Sequence, residues 1–298
     1  MLERSIPLPF QLDLHRTLVG VRRGAHDPTC HFDGNTIVRA SRFSSGPSTL
    51  RLEIRDQQIE ATAWGDGAQD CLDAIEDLVG LNDDVSTFQP QHPTIERIWR
   101  DHGSVRMPRT RGVYEALIDV VLEQRVTTFE ARRAFHQLVS KWGEPAPGPG
   151  GLQLPPEPDV LANIAYYDLH IIGVERSRAD TLRRIGANAR TLDALASAEP
   201  ADAYRRLTSI PGVGAWSAAE VGLVAFGDSD AVPIGDVHLP SDITYVLTGT
   251  AVDDDDAMLE ALQQFAGHRG RVIRLIQAAG LHAPRRAPRY APRDISNQ

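Results

Sequence analysis

The sequence predicts a mostly helical protein, in which a small α+β domain with an antiparallel sheet precedes a larger all-helical domain. Two observations predict this division. Residues 50–55 alternate apolar and charged side chains, and residues 58–64 continue the alternation after the polar turn Asp56-Gln57. Period-two alternation on both sides of a short turn is typical of a β-hairpin. From residue 94 onward, apolar side chains recur at helical spacing instead.

The small domain is predicted to end with a helix and a linker. Apolar side chains fall at helical spacing within residues 67–79, which indicates an amphipathic helix. Residues 82–93 then contain two Asp and two Pro and have no apolar period, which is typical of a boundary. We therefore expect the α+β domain to occupy residues 1–93.

The larger domain, residues 94–282, is predicted to consist of successive helices. Their predicted ranges are 112–125, 128–142, 159–165, 176–195, 200–207, 215–225, 241–247, 255–265 and 268–279. A connector rich in Pro and Gly, residues 144–158, interrupts the series. Residues 283–298 are predicted to form a basic C-terminal tail.

Composition excludes several classes of protein. Among 298 residues there are two cysteines, Cys30 and Cys71. A disulfide scaffold, a four-cysteine zinc site and a four-cysteine iron–sulfur cluster are therefore excluded. The sequence has no apolar run long enough for a transmembrane helix, and its first ten residues lack a signal-peptide core. We expect a reduced, cytoplasmic protein.

Charge is distributed unevenly along the chain. The net charge is −9, yet residues 267–298 hold seven Arg and only one acidic residue. Local patches rather than net charge decide whether a protein binds a polyanion, so the acidic balance does not exclude DNA. A solvated tail accounts for the basic end equally well. Lys141 is the only lysine, so chemistry that needs a lysine amine has one candidate side chain.

Residues 207–219 carry the most informative motif. Pro211-Gly-Val-Gly214 makes a tight turn between two predicted helices. Glycine leaves no side chain in the way of a ligand, and the unpaired N–H groups at the start of a helix attract phosphate. Gly212 and Gly214 are therefore candidate phosphate-binding residues. An ordinary helical hairpin with a glycine turn has the same pattern.

Two neighbouring segments favour the functional interpretation of this hairpin. Gln124-Arg125 ends a predicted helix upstream, and the loop Pro-Ile-Gly-Asp236-Val-His lies downstream. Together with Ile-Pro-Gly-Val-Gly-x-x-Ser-Ala, these segments resemble the helix–hairpin–helix base-excision DNA glycosylases over roughly residues 95–280. The β-rich N-terminal domain resembles the 3-methyladenine DNA glycosylase II branch.

The resemblance implies that Asp236 is the catalytic residue. Cleavage of a base–sugar bond develops positive charge on the sugar, and a carboxylate below the ring stabilises that charge and orients the attacking water. A lone Asp in a loop is otherwise typical of a turn or a helix cap.

Trp216 decides the subclass that the resemblance implies. Family members that also cut the DNA backbone carry a lysine at this position, and without that amine a Schiff base has no nucleophile. We therefore expect a monofunctional glycosylase that uses water and leaves an abasic site. Trp216 is a candidate wall of the base pocket, since aromatic faces stack on flipped bases, and is equally compatible with core packing.

The resemblance also assigns DNA contacts and a base pocket. Gln124 falls on the loop that enters DNA from the minor groove, and Arg269 and Arg271 are candidate backbone contacts. Arg125 stands where the alkylation-repair branch has an apolar wedge, so either the Arg fills the gap left by the flipped base or the wedge lies elsewhere in the chain. His268 stands in place of a pocket tryptophan, and Glu220, one turn beyond Trp216, is a further candidate for the pocket.

Two functions therefore follow from the sequence. The first is a DNA glycosylase that flips a damaged base, expected to be alkylated, out of duplex DNA and hydrolyses its N-glycosidic bond. Uracil, hypoxanthine and oxidised bases stay open as alternative substrates. The alternative is a non-catalytic helix–hairpin–helix DNA-binding repair protein, which has no need of Asp236. The resemblance implies no cofactor and no metal, a monomer that binds damaged double-stranded DNA and no membrane, and a bacterial cytoplasmic location at the nucleoid.

Overall fold

The computed structural model describes residues 1–284. Within them the chain forms a five-stranded antiparallel sheet, a short strand pair and 14 α-helices, which confirms the predicted fold class. No helix in this range is long and apolar enough to cross a membrane. The predicted basic tail, residues 283–298, lies outside the described residues apart from its first two positions.

The five-stranded sheet is built from the N-terminal part of the chain. Its strands are β1 (Leu2–Pro7), β2 (Cys30–Asp33), β3 (Thr36–Phe43), β4 (Gly46–Arg55) and β5 (Gln58–Trp64). Their spatial order is β1-β5-β4-β3-β2, and every neighbouring pair is antiparallel. The short pair, β6 (Glu144–Pro145) and β7 (Gln153–Leu154), lies within the predicted connector.

The predicted β-hairpin is confirmed as β4 and β5. Its two loop residues, Asp56 and Gln57, have φ values of 47° and 59°. A two-residue loop with both residues left-handed is a type I′ turn, whose twist matches that of the flanking strands. Alternate residues of β5 (Ile59, Ala61 and Ala63) are buried, so one face of the strand meets the core.

The helices account for most of the remaining chain. They are α1 (Leu14–Leu18), α2 (Ala68–Asp73), α3 (Ile75–Leu78), α4 (Pro93–His102), α5 (Val113–Glu123), α6 (Thr128–Trp142), α7 (Pro158–Asn163), α8 (Tyr166–Ile171), α9 (Arg176–Asp193), α10 (Pro200–Thr208), α11 (Ala215–Val221), α12 (Leu239–Thr248), α13 (Asp255–Leu262) and α14 (Arg269–Ala278). Helix α6 has the predicted bounds, and Thr127 and Glu130 form a capping box that fixes its start. Helix α8, only six residues long, was not predicted.

Three large apolar clusters hold most of these elements together, and a small fourth cluster joins β3 to the segment of β7. The first joins the sheet and α1–α3 to Leu223 and Val224, which lie in a π-helical turn (Gly222–Phe226) directly after α11. The sheet domain therefore packs against the segment that carries the second helix of the hairpin. The second cluster surrounds α5, which is buried along most of its length, and includes residues of α6, α9 and α11.

The third cluster joins α4 to the C-terminal helices α12–α14. Phe88 belongs to it and packs edge-on against Trp99, with ring centroids 5.0 Å apart. Because Phe88 precedes the predicted boundary between residues 93 and 94, packing crosses that boundary. The division of the chain into domains at this point stays a prediction.

Candidate active site

The predicted hairpin is formed by α10 and α11, with a turn whose backbone needs glycine at Gly212. Its φ is +98°, and a Cβ added there would lie 2.0 Å from Oγ1 of Thr181. The N–H of Val213 donates to the carbonyl of Ile210 at 2.9 Å, which closes the turn and buries the Val213 side chain. Gly214 precedes α11 and is exposed, with no atom within 4 Å of the place where a Cβ would stand. The turn therefore presents bare backbone to its surroundings.

Gln124 is brought directly onto this hairpin. It caps the C-terminal end of α5, and its side-chain amide donates to the carbonyl of Gly212 and to Oγ of Ser217, both at 2.9 Å. Two of the segments singled out in the sequence are therefore in contact. Arg125 follows in the loop to α6, with an exposed side chain and a left-handed φ of 56°, which is uncommon for a residue other than glycine.

Asp236 lies in the loop between the π-helical turn and α12, with hydrogen-bond donors on both carboxylate oxygens. The indole N–H of Trp216 donates to Oδ2 at 3.2 Å. The backbone N–H groups of His238 and Leu239 donate to Oδ1 at 2.8 Å, as α12 begins. The carboxylate therefore closes a local turn, as an Asp in such a loop often does, and it also faces the hairpin helix.

Trp216 contacts both the apolar core and the candidate site. It lies in the first turn of α11, is half-buried, and packs against the cluster around α5 while its indole nitrogen reaches Asp236. Glu220 follows one turn later on the same helix and is also half-buried. Burial raises the pKa of Glu220 to about 7; Arg274 opposes this, and the charges of Glu123 and Asp236 add to it.

A polar cavity of about 190 Å³ lies beside Glu220. It is enclosed by the segment that follows α1, by α5, by α11 and by α14. The charged residues that line it are Arg22, Arg23, Asp119, Glu123, Arg132, Glu220 and Arg274. Arg23 forms an ion pair with Asp119 on one wall. On another wall, a Cβ added to Gly20 would lie 2.6 Å from Nη2 of Arg274, so the guanidinium rests against bare backbone.

Curated proteins share part of this sequence, although no family model matches the chain. The putative DNA-3-methyladenine glycosylase YfjP of Bacillus subtilis is 23% identical over 154 residues, which cover 50% of this chain and 53% of that protein. The probable bifunctional transcriptional activator/DNA repair enzyme AlkA of Mycobacterium tuberculosis is 29% identical over 136 residues, which cover 45% and 27%. The chain spans about half the length of the first relative and about a quarter of the second.

Solved structures match over most of the chain. The 3-methyladenine DNA glycosylase of Archaeoglobus fulgidus aligns with a TM-score of 0.76 at 15% identity, covering 93% of this chain and 98% of that one. The 8-oxoguanine glycosylase/lyase of Clostridium acetobutylicum, solved with DNA, aligns with a TM-score of 0.67 at 12% identity, covering 90% and 91%. This chain has the helix–hairpin–helix DNA glycosylase fold. The names of the curated relatives agree with the predicted 3-methyladenine branch.

Within this glycosylase fold, two predicted residues lie elsewhere than expected. Arg271 is 2% exposed, and its two terminal nitrogens donate to the carboxylate of Asp83 at 2.6 and 2.7 Å. The predicted contact between Arg271 and a DNA phosphate is therefore corrected, because a buried and paired guanidinium cannot reach the backbone. His268 is 8% exposed and hydrogen-bonds Thr87 at 2.8 Å. Its neighbours are Arg271 and Phe88 of the third cluster, and no hydrogen bond or ring contact among the described residues joins it to Trp216 or Asp236.

Arg269 is partly exposed and already has an anionic partner. Its Nε and Nη2 donate to the carboxylate of Asp230 at 2.8 and 2.5 Å, and its backbone N–H donates to the same group at 3.0 Å. This pairing holds the pKa of the Asp230 carboxyl below its usual range, against the effect of burial. A phosphate contact by Arg269 stays a prediction, and it would have to compete with Asp230.

The sequence interpretation missed the residues that complete the cavity. Asp119 and Glu123 lie on α5, and Arg23, Gly20 and Arg274 come from the two ends of the chain. One signal was present, because Asp119 is the single charged residue within the apolar stretch 116–122 of α5, and such a group is rarely buried without a partner. The contributions of Gly20 and Arg274 had no local signal.

Proposed function

We propose that this chain is a DNA glycosylase that hydrolyses the N-glycosidic bond of a damaged, alkylated base in duplex DNA and leaves an abasic site. One observation carries the proposal: the carboxylate of Asp236 is held by Trp216, in the first turn after the glycine turn of the hairpin. A non-catalytic DNA-binding module needs the hairpin but not an oriented carboxylate beside it. The names of the curated relatives support the same activity and the alkylated class of base.

The chemistry requires a fixed negative charge below the sugar. As the bond to the base breaks, positive charge develops on the ring, and a preorganised carboxylate stabilises it without reorganising. Three N–H donors orient Asp236 for this role. In the proposed reaction the electron pair of the broken bond leaves with the base. The same carboxylate orients the water that attacks the sugar and accepts the proton that this water loses as the new bond forms.

The hairpin is the proposed DNA-binding element. Among residues 1–284, no hydrogen bond occupies the N–H of Gly212 or Gly214, and both residues are exposed. Backbone amides at the start of a helix bind phosphate without a charged side chain, which suits a chain of net charge −9. Gln124 fixes the turn through its hydrogen bond to the carbonyl of Gly212. Arg125, the next residue, is the proposed group that fills the space left by the base.

The proposed reaction stops at the abasic site. Trp216 occupies the position where family members that cut the backbone carry a lysine. Lys141 lies near the C-terminal end of α6, where its ammonium stands 5.6 Å from the centre of the Trp142 ring. Neither observation provides an amine beside Asp236 for a Schiff base.

A release assay tests the proposal. Duplexes that carry 3-methyladenine, 7-methylguanine, hypoxanthine, uracil or 8-oxoguanine are incubated with the full chain, and the free base is measured. We expect release of an alkylated base and an intact abasic strand. Binding to every duplex with no base released would favour the non-catalytic alternative.

A further inference from the structure

Among the described residues, three half-buried charged groups that line the polar cavity lack a close hydrogen-bonding or ionic partner. Within residues 1–284, Glu123, Glu220 and Arg274 form no hydrogen bond or ion pair shorter than 4 Å. By contrast, Arg23 and Asp119 on the same cavity form an ion pair with each other. Partly desolvated charges without a hydrogen-bond partner are costly, so a cavity that exposes three of them is suited to a polar ligand.

The position of the cavity relative to Asp236 suggests what that ligand is. Glu220 lies one turn along α11 from Trp216, which contacts Asp236 directly. The charge of Asp236 is close enough to influence the ionisation of Glu220. The lining of the cavity includes Glu220 and Arg274 but neither Trp216 nor Asp236, so the cavity begins one helical turn from the proposed catalytic carboxylate. A base held beside Asp236 and extending that one turn along α11 would bring its far edge to Glu220 and Arg274. The cavity volume of about 190 Å³ greatly exceeds the roughly 10–15 Å³ that one water needs.

The charged groups offer a defined hydrogen-bonding pattern. Carboxylates of Glu123 and Glu220 accept hydrogen bonds, and the guanidinium of Arg274 only donates them. A guanine-type edge presents a ring N–H beside a carbonyl, and the carbonyl is a group that arginine reads in nucleic acids. An adenine-type edge presents an amine in place of the carbonyl. That amine and the guanidinium of Arg274 are both hydrogen-bond donors, so they cannot bond to each other.

We propose that Glu220 and Arg274, with Glu123, recognise the Watson–Crick edge of a guanine-type base, so that purines with a carbonyl beside a ring N–H are preferred over adenine-type bases. This inference rests on the proposed function and narrows its substrate class. Arg274 donates to the carbonyl and the carboxylates accept from the ring N–H and, where present, the exocyclic amine. Gly20 makes room for Arg274, since any side chain there would displace the guanidinium.

The test compares the same variants on three duplexes. 7-Methylguanine and 3-methyladenine both carry a positive charge but differ in the edge they present, and hypoxanthine presents the carbonyl edge without the charge. Single-turnover release is measured for the wild type and for Glu220→Gln, which keeps the shape of the side chain, and for Arg274→Met. Each rate is expressed relative to the wild type on the same duplex, because the three bonds differ in intrinsic lability.

We expect each variant to slow release of 7-methylguanine and hypoxanthine at least about tenfold more than release of 3-methyladenine, the effect of losing a charge-assisted hydrogen bond. The exposed Glu260→Gln is the matched control and should leave all three rates unchanged. Equal slowing on all three duplexes, or no slowing, would overturn the inference and leave the proposed function standing. No release from any duplex by the wild type would instead contradict the proposed function.

Discussion

The indole N–H of Trp216 donates to Oδ2 of Asp236 across 3.2 Å, and this bond links the hairpin to the loop that carries the proposed catalytic carboxylate. The other carboxylate oxygen is held by two backbone N–H groups. In the proposed reaction Trp216 positions Asp236 in addition to lining the base pocket.

Replacing Trp216 with Phe should slow base release while the fold is retained. The substitution keeps an aromatic face but removes the only side-chain N–H on Oδ2 of Asp236 among the described residues. Loss of that orientation should cost about tenfold in single-turnover rate, or roughly 1.4 kcal/mol of transition-state stabilisation. Trp142→Phe, at the end of α6, is the matched control. A wild-type rate in Trp216→Phe would show that the hydrogen bond has no positioning role.

Arg125→Ala should separate base release from general DNA binding. If Arg125 fills the gap left by the flipped base, its loss slows release more than it weakens binding to undamaged duplex, which has no gap. Arg184, also exposed and bonded to the carbonyl of Pro211, is the comparison for an ordinary phosphate contact. Arg184→Ala should weaken all DNA equally and reduce the salt slope by about one unit. Identical behaviour of the two variants would show that Arg125 does not fill the gap left by the flipped base.

Borohydride trapping should give no covalent adduct between this chain and damaged DNA. Trapping requires a Schiff base, and the position next to Asp236 that would supply its lysine is Trp216. A bifunctional glycosylase/lyase treated in parallel serves as the positive control. A trapped adduct that disappears in Lys141→Ala would contradict the monofunctional assignment.

The ionisation of Glu220 should make Glu220→Gln relatively more stable as pH rises. Burial raises the pKa of Glu220 in the folded chain to about 7, above the ordinary value of 4.5 expected in the unfolded chain. The folded state therefore disfavours the ionised form, and this group reduces stability progressively between about pH 4.5 and 7. Gln carries no such penalty. The difference in melting temperature, variant minus wild type, should be larger at pH 8 than at pH 5, and a constant difference would contradict the raised pKa.

Local sequence patterns were sufficient to predict the β-hairpin, helix α6 and the glycine turn of the helical hairpin. The type I′ turn at Asp56-Gln57, the bounds of α6 and the glycine turn at Gly212 depend on neighbours a few residues away, and such preferences are visible in the sequence. The fold class followed from the same patterns combined with a family resemblance. That resemblance also singled out Gln124 but did not predict its hydrogen bonds to the hairpin. Asp236 as the catalytic residue stays a prediction.

Pairings between distant segments were not predictable. Arg271 and Asp83 are 188 positions apart, and nothing near Arg271 in the sequence indicates that it is neutralised inside the fold rather than free for DNA. The cavity was not predictable for the same reason, because the residues that line it belong to four separate segments: Gly20, Glu123, Glu220 and Arg274. Burial and charge pairing at such sites depend on tertiary packing, which local periodicity does not report.

Single-turnover base release by Asp236→Asn tests the central claim most directly. Asn retains an oxygen that can accept the backbone N–H groups of His238 and Leu239, so the loop should keep its turn, which thermal unfolding would verify. Asp253→Asn, exposed and outside the site, is the control. Loss of the stabilising charge should lower the rate on a damaged duplex by about 10²–10⁴ with DNA affinity near that of the wild type. Undiminished release by a folded Asp236→Asn would contradict the assignment of this carboxylate as the catalytic group.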